Sequence, residues 1–154
     1  LARARSFSDR SFLWVLFSVS GIGMVGSLLY SEVVGYVPCM LCWYQRIALY
    51  PQVFLFGIAA LRRDSEVYYY ALPLSIAGAA IAAYHYYGQM WNTSSLPCPA
   101  DAAIPSCAQI PFVEFGFITI PLMALGAFVF LIALTLLAMR VRGHTATNGS
   151  SWTQ

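Results

Sequence analysis

Charge is scarce in this sequence. Only 9% of its 154 residues are charged and 60% are hydrophobic, whereas an ordinary soluble domain carries about 25% charged residues. A water-soluble fold of this size could not cover its surface with so few charges, so the composition suits a bilayer. Lysine is absent altogether, and all eight basic residues are arginines. The net charge of +2 is too small to hold a polyanion, and no nucleic-acid partner is expected. Glycine-rich phosphate loops and paired carboxylates are also missing, which removes nucleotide hydrolysis and carboxylate acid–base chemistry from consideration.

What the chain has is long apolar runs. A helix needs roughly 20 apolar residues to cross the hydrocarbon core, and four segments qualify: about residues 11–31, 43–61, 67–91 and 115–139. The expected fold is an all-α membrane protein, a four-transmembrane-helix bundle with both termini on one side and two short loops on the other. Residues 1–143 read as one transmembrane domain, with 144–154 a polar, flexible tail. Arg3, Arg5 and Arg10 precede the first span, Arg62 and Arg63 separate the second from the third, and Arg140 and Arg142 follow the fourth. These seven fall on one face of the membrane, which the positive-inside rule assigns to the cytoplasm. The opposite loops, about 32–42 and 92–114, contain no basic residue. Pro51, Pro73 and Pro121 lie inside spans and predict kinks.

All four cysteines fall in those outward loops: Cys39 and Cys42 in the first, Cys98 and Cys107 in the second. The outer compartment is the oxidising one, so two disulfides are expected at rest. A bridge stabilises through the chain it encloses, and Cys39–Cys42 encloses almost nothing. That pair reads as a redox switch rather than a staple, while the longer Cys98–Cys107 loop suits either role. Zinc sites share the Cys-x-x-Cys spacing, but further ligands could come only from Cys98, Cys107 and His85. An oxidising compartment disfavours them, and no metal is expected.

Polar residues gather at the same depth. A helix beginning near Cys39, just after Pro38, would lower thiol pKa values there through its free N–H groups and dipole. Arg46 lies one turn beyond Cys42 on the same face. It is the one arginine off the cytoplasmic face, and an ionisable residue within a span is a functional candidate; the plainer reading is a headgroup anchor. His85 and Gln89, four residues apart near the outer end of the third span, share a face. Arg, His and Gln beside a thiolate suit a quinone head group, whose carbonyl oxygens need hydrogen bonds and gain negative charge on reduction. An ordinary interhelical hydrogen bond would equally account for His85 and Gln89.

The stretch Val37-Pro38-Cys39-Met40-Leu41-Cys42-Trp43-Tyr44-Gln45-Arg46, continuing to Tyr50-Pro51, resembles the signature of the disulfide bond formation protein B family (DsbB, with its shorter relative BdbC). The resemblance extends to the four-span layout and both outer cysteine pairs. It implies a thiol:quinone oxidoreductase of the bacterial cytoplasmic membrane, with Cys39, Cys42, Cys98 and Cys107 catalytic. Arg46, His85 and Gln89 would bind the quinone, ubiquinone or menaquinone. Cys98 and Cys107 would meet the partner, a thioredoxin-like (DsbA-like) dithiol oxidase, at Cys98. Only eight residues separate Cys98 from Cys107, which resembles the BdbC-like branch rather than the long-loop members. Three rivals are an enzyme of the vitamin K epoxide reductase type, whose Cys-x-x-Cys sits on a late span, a non-enzymatic scaffold with stapled loops, and a metal-handling membrane protein.

Overall fold

A computed structural model describes residues 2–35, 37–91, 107 and 119–149, and side chains over 10–35, 37–91, 107 and 119–142. The described residues form four helices: α1 Ala2–Glu32, α2 Met40–Arg62, α3 Val67–Met90 and α4 Ile120–Gly149. Each helix packs on its chain neighbours, and α1 also packs on α4, so the four close a ring. Short connections after α1 and α2 make successive helices antiparallel neighbours. At the far end of α4, Arg142 Nη1 donates to the Ser65 carbonyl at 3.0 Å and its Nη2 lies 3.9 Å from Glu66. The α2–α3 connection and the end of α4 therefore share one end of the bundle, and the beginning of α2 lies at the other.

The bundle is apolar outside as well as in. Ile22, Val25, Ile47, Phe54, Ile58, Ile76 and Val129 are exposed, while Leu13, Leu16, Phe56, Tyr68, Phe128 and Leu131 fill the centre. Among the described residues, three helical stretches are long and apolar enough to cross a membrane: Arg10–Glu32, Val67–Met90 and Ile120–Arg142. The expected second span is a helix of similar length but lower hydropathy, because Gln45, Arg46 and Gln52 interrupt it. Those groups are satisfied within the bundle. Gln52 donates to the Ala48 carbonyl at 2.9 Å and accepts from the Ser75 hydroxyl at 2.8 Å.

The expected beginning of the fourth span, residues 115–118, lies outside the described residues; α4 is described from Ile120, which puts Pro121 in its first turn. A proline there gives up only an N–H that has no helical partner, so no kink follows. The same helix continues to Gly149, through the first residues of the expected tail. Pro51 and Pro73 do lie inside helices, in α2 and α3.

Close approach of α3 and α4 depends on Gly78. A Cβ there would fall 2.4 Å from the Phe128 ring. Small residues at such crossings let helices in lipid pack closely. Gly78→Val is expected to destabilise the bundle by about 1–3 kcal/mol, the usual range for overpacking. Thermal unfolding in detergent should show this as a lowered Tm, partly restored by adding Phe128→Leu.

Candidate active site

Pro38 leads into Cys39, which is the N-cap of α2 with an extended backbone (φ −71°, ψ 172°). The Cys39 carbonyl accepts the first helical bond, from Trp43 N at 3.1 Å. The Cys39 side chain makes no capping bond, so the free N–H groups of the first turn remain near its sulfur. Cys42 lies in that turn. The two are free thiols with sulfurs 2.9 Å apart. Cys39 is buried and Cys42 half-buried.

Helix α3 supplies the rest of this wall. His85, almost wholly buried, places Nε2 3.7 Å from Cys39 Sγ and 3.2 Å from the Cys107 carbonyl oxygen. Its Nδ1 lies 3.1 Å from the Gln45 side-chain nitrogen. With Gln45 donating to Nδ1, the neutral ring carries its proton on Nε2, aimed at Cys39 and Cys107. Gln89 Nε2 also donates to the Cys107 carbonyl, at 3.4 Å. Cys107 is buried and disulfide-bonded. It forms a small cluster with Cys39 and Leu41, against which Cys42 and Ile81 pack. Cys98 lies outside the described residues.

Arg46 faces elsewhere. Its Nε donates to Ser27 Oγ at 2.9 Å and its Nη2 to the Ser27 carbonyl at 2.8 Å. The guanidinium lies 5.4 Å from the centre of the Trp43 ring. Of the expected site residues, Cys39, Cys42, His85, Gln89 and Cys107 come together between α2 and α3, while Arg46 stands on the α1 side of the same turn. Gln45 was missed. The signal was present, since an amide within an apolar helix needs a partner, but nothing along the chain names His85 as that partner.

The Cys39 thiol is pulled down to about 4. The hydrogen bond from Cys42 is the main cause; burial opposes it, and the hydrogen bond from His85 assists. Thiolate is the form above this value, so alkylation of Cys39 in the reduced protein should stay fast from neutral pH down to about pH 5. Cys42→Ala removes the largest contribution and should move the midpoint far up toward an ordinary thiol, about 8.5. His85→Ala should move it less. A pH series of iodoacetamide labelling, read by peptide mass, measures all three.

His85 Nε2 faces Cys39 Sγ, the Gln45 and Gln89 amides flank the imidazole, and Arg46 stands on the α1 side of the same turn. Exposed Met40, Trp43 and Ile47 give an apolar molecule a lipid-side approach to this cluster.

The family described as Disulfide bond formation protein DsbB matches residues 9–138. The chain is 43% identical over 122 residues to Disulfide bond formation protein C of Bacillus subtilis (strain 168), covering 79% of this chain and 87% of that protein. It is also 43% identical over 115 residues to the SPbeta prophage-derived disulfide bond formation protein B of the same organism, covering 75% and 76%. No solved structure matches. With the match spanning most of its length and the paired thiols set at the head of α2, the chain belongs to the DsbB family of disulfide bond formation proteins.

Proposed function

We propose that this chain is a membrane thiol:quinone oxidoreductase that reoxidises an extracytoplasmic, DsbA-like dithiol oxidase and so sustains protein disulfide formation. The observation that carries this reading is the shared buried cluster of Cys107, Cys39 and Leu41 with Cys42 packed on it. A stapled scaffold has no need to set its second bridge against a reactive thiol pair. The order of the pairs, with Cys-x-x-Cys after the first helix, separates the chain from the vitamin K epoxide reductase type.

Helix α2 serves as the fourth span, since its polar side chains find partners inside the bundle. The positive-inside rule, applied to the seven arginines, supports a cytoplasmic position for both termini and the α2–α3 connection. The cysteines then face outward from the bacterial cytoplasmic membrane.

The relay runs by thiolate attack on sulfur. A partner thiolate attacks Cys98 of the Cys98–Cys107 disulfide, and the partner's second cysteine resolves the bond, leaving two thiols. The Cys107 thiolate attacks Cys39 Sγ; the Cys39–Cys42 bond breaks and Cys42 leaves as thiolate. Cys98 then attacks Cys107, which restores their disulfide and releases Cys39. The contacts that hold Cys39 as thiolate stabilise the reduced pair, which raises its potential and helps it take electrons from the loop. His85 N–H supports Cys39 and the Cys107 carbonyl through these exchanges. Quinone, when bound, supplies the two-electron sink. Arg46 offers a positive charge beside Cys42, and His85 and Gln89 offer N–H donors from the other side. Purified protein given a reduced thioredoxin-like oxidant should reduce quinone with one disulfide formed per quinone. Failure of both to turn over would leave the scaffold reading.

A further inference from the structure

We infer that in its dithiol state the Cys39–Cys42 pair, with His85, is a binding site for a thiophilic divalent d10 ion of the zinc and cadmium class, whose capture halts thiol exchange. Cys39 Sγ, Cys42 Sγ and a ring nitrogen of His85 all lie within 4.8 Å of one another. Bonds of about 2.3 Å to sulfur and 2.0 Å to nitrogen in a tetrahedral site set a sulfur and a nitrogen roughly 3.6 Å apart, and two sulfurs roughly 3.8 Å apart. The Cys39–His85 distance of 3.7 Å already matches. The sulfurs, 2.9 Å apart, must open by roughly 0.9 Å to fit such an ion. The Cys-x-x-Cys spacing is one that structural zinc sites use.

The surroundings complete the case. A ligating histidine is usually held through its other nitrogen, which fixes the tautomer and the ring. Gln45 does this at His85 Nδ1, at 3.1 Å. Ligation needs the Nε2 lone pair, so the ring proton must sit on Nδ1; a half-turn of the Gln45 amide then presents its oxygen to accept it. A glutamine can serve either tautomer, and leucine neither. Two thiolates neutralise a divalent ion, so the complex adds no net charge to a poorly solvated site. Binding releases the thiol protons and changes no oxidation state. A water or the Cys107 carbonyl, close to His85 Nε2, can take the fourth position. With both sulfurs ligated, neither can form a disulfide. The oxidised pair offers no thiolate, so the site exists only after electrons have arrived.

The test uses the full chain in detergent with Cys98→Ser and Cys107→Ser, which leaves one dithiol. Cobalt(II) is the probe and zinc(II) the competitor. Reduced protein should take up one cobalt per chain with the visible bands of tetrahedral thiolate ligation, and zinc should displace it. Prior oxidation of the pair should abolish uptake. His85→Ala should weaken binding at least tenfold, and Gln45→Leu by roughly ten- to a hundredfold, the range seen when a ligand's supporting contact is lost. In fully reduced protein with all four cysteines, zinc should shield Cys39 and Cys42 from alkylation, which covers the case of a poorly folded variant. Equal uptake by oxidised and reduced protein, unaltered affinity in His85→Ala, or no shielding would overturn the proposal. None of these readouts involves quinone, so the site and the relay stand or fall separately.

Discussion

A chain carrying Cys39→Ser and Cys42→Ser is expected to lose quinone reduction to the uncatalysed background while still exchanging once with a reduced dithiol partner. The expectation follows from the position of the pair. Cys39 closes the head of α2 and packs in one cluster with Cys107, so in the proposed relay electrons leaving Cys107 meet Cys39 first. Serine keeps the size of each side chain and removes the sulfur that could be attacked. The Cys98–Cys107 disulfide should therefore be reduced by one equivalent of partner and stay reduced. Stopped-flow mixing with excess partner would show a single burst and no steady state. Continued quinone reduction by this variant would mean that electrons bypass the pair.

Arg46→Ala should raise the apparent KM for quinone far more than it slows exchange with the partner. A hydrogen bond from a charged donor contributes about 1.5–3 kcal/mol, or roughly ten- to a hundredfold in KM. The guanidinium also ties α2 to α1 through Ser27, so loss of packing needs a control. Ser27→Ala removes the hydroxyl acceptor and leaves the positive charge in place. If the charge acts on the quinone, Ser27→Ala should lower Tm as Arg46→Ala does but leave KM near the wild-type value. If both variants lose stability and neither changes KM, Arg46 is an interhelical tie.

The sequence carried the residue types of the site better than their geometry. Cys-x-x-Cys after Pro38 announced a thiol pair at a helix start, and Cys39 is the N-cap there. Arg46 was expected beside Cys42 because four residues make one helical turn. What no periodicity contains is which neighbouring helix a face meets. The spacing of His85 and Gln89 showed that they share a face of α3, yet not that the face looks at Cys39, Gln45 and Cys107. For the same reason the tie from Arg46 to Ser27, nineteen residues earlier on another helix, was not readable. Hydropathy runs smoothly across Phe115–Ile120 and so marks no helix start there, whereas Pro121 falls in the first turn of α4.

In the proposed relay electrons enter at Cys98–Cys107 and leave through Cys39–Cys42. A partner lacking its second active-site cysteine can attack but cannot resolve, so a mixed disulfide should accumulate. Peptide mass mapping of that bond is the most direct measurement. Attachment is expected at Cys98, persisting in the Cys39→Ser/Cys42→Ser chain and absent in Cys98→Ser. Attachment at Cys39 or Cys42 would contradict it, because electrons would then enter at the pair on α2 and the Cys98–Cys107 bridge would be only a staple.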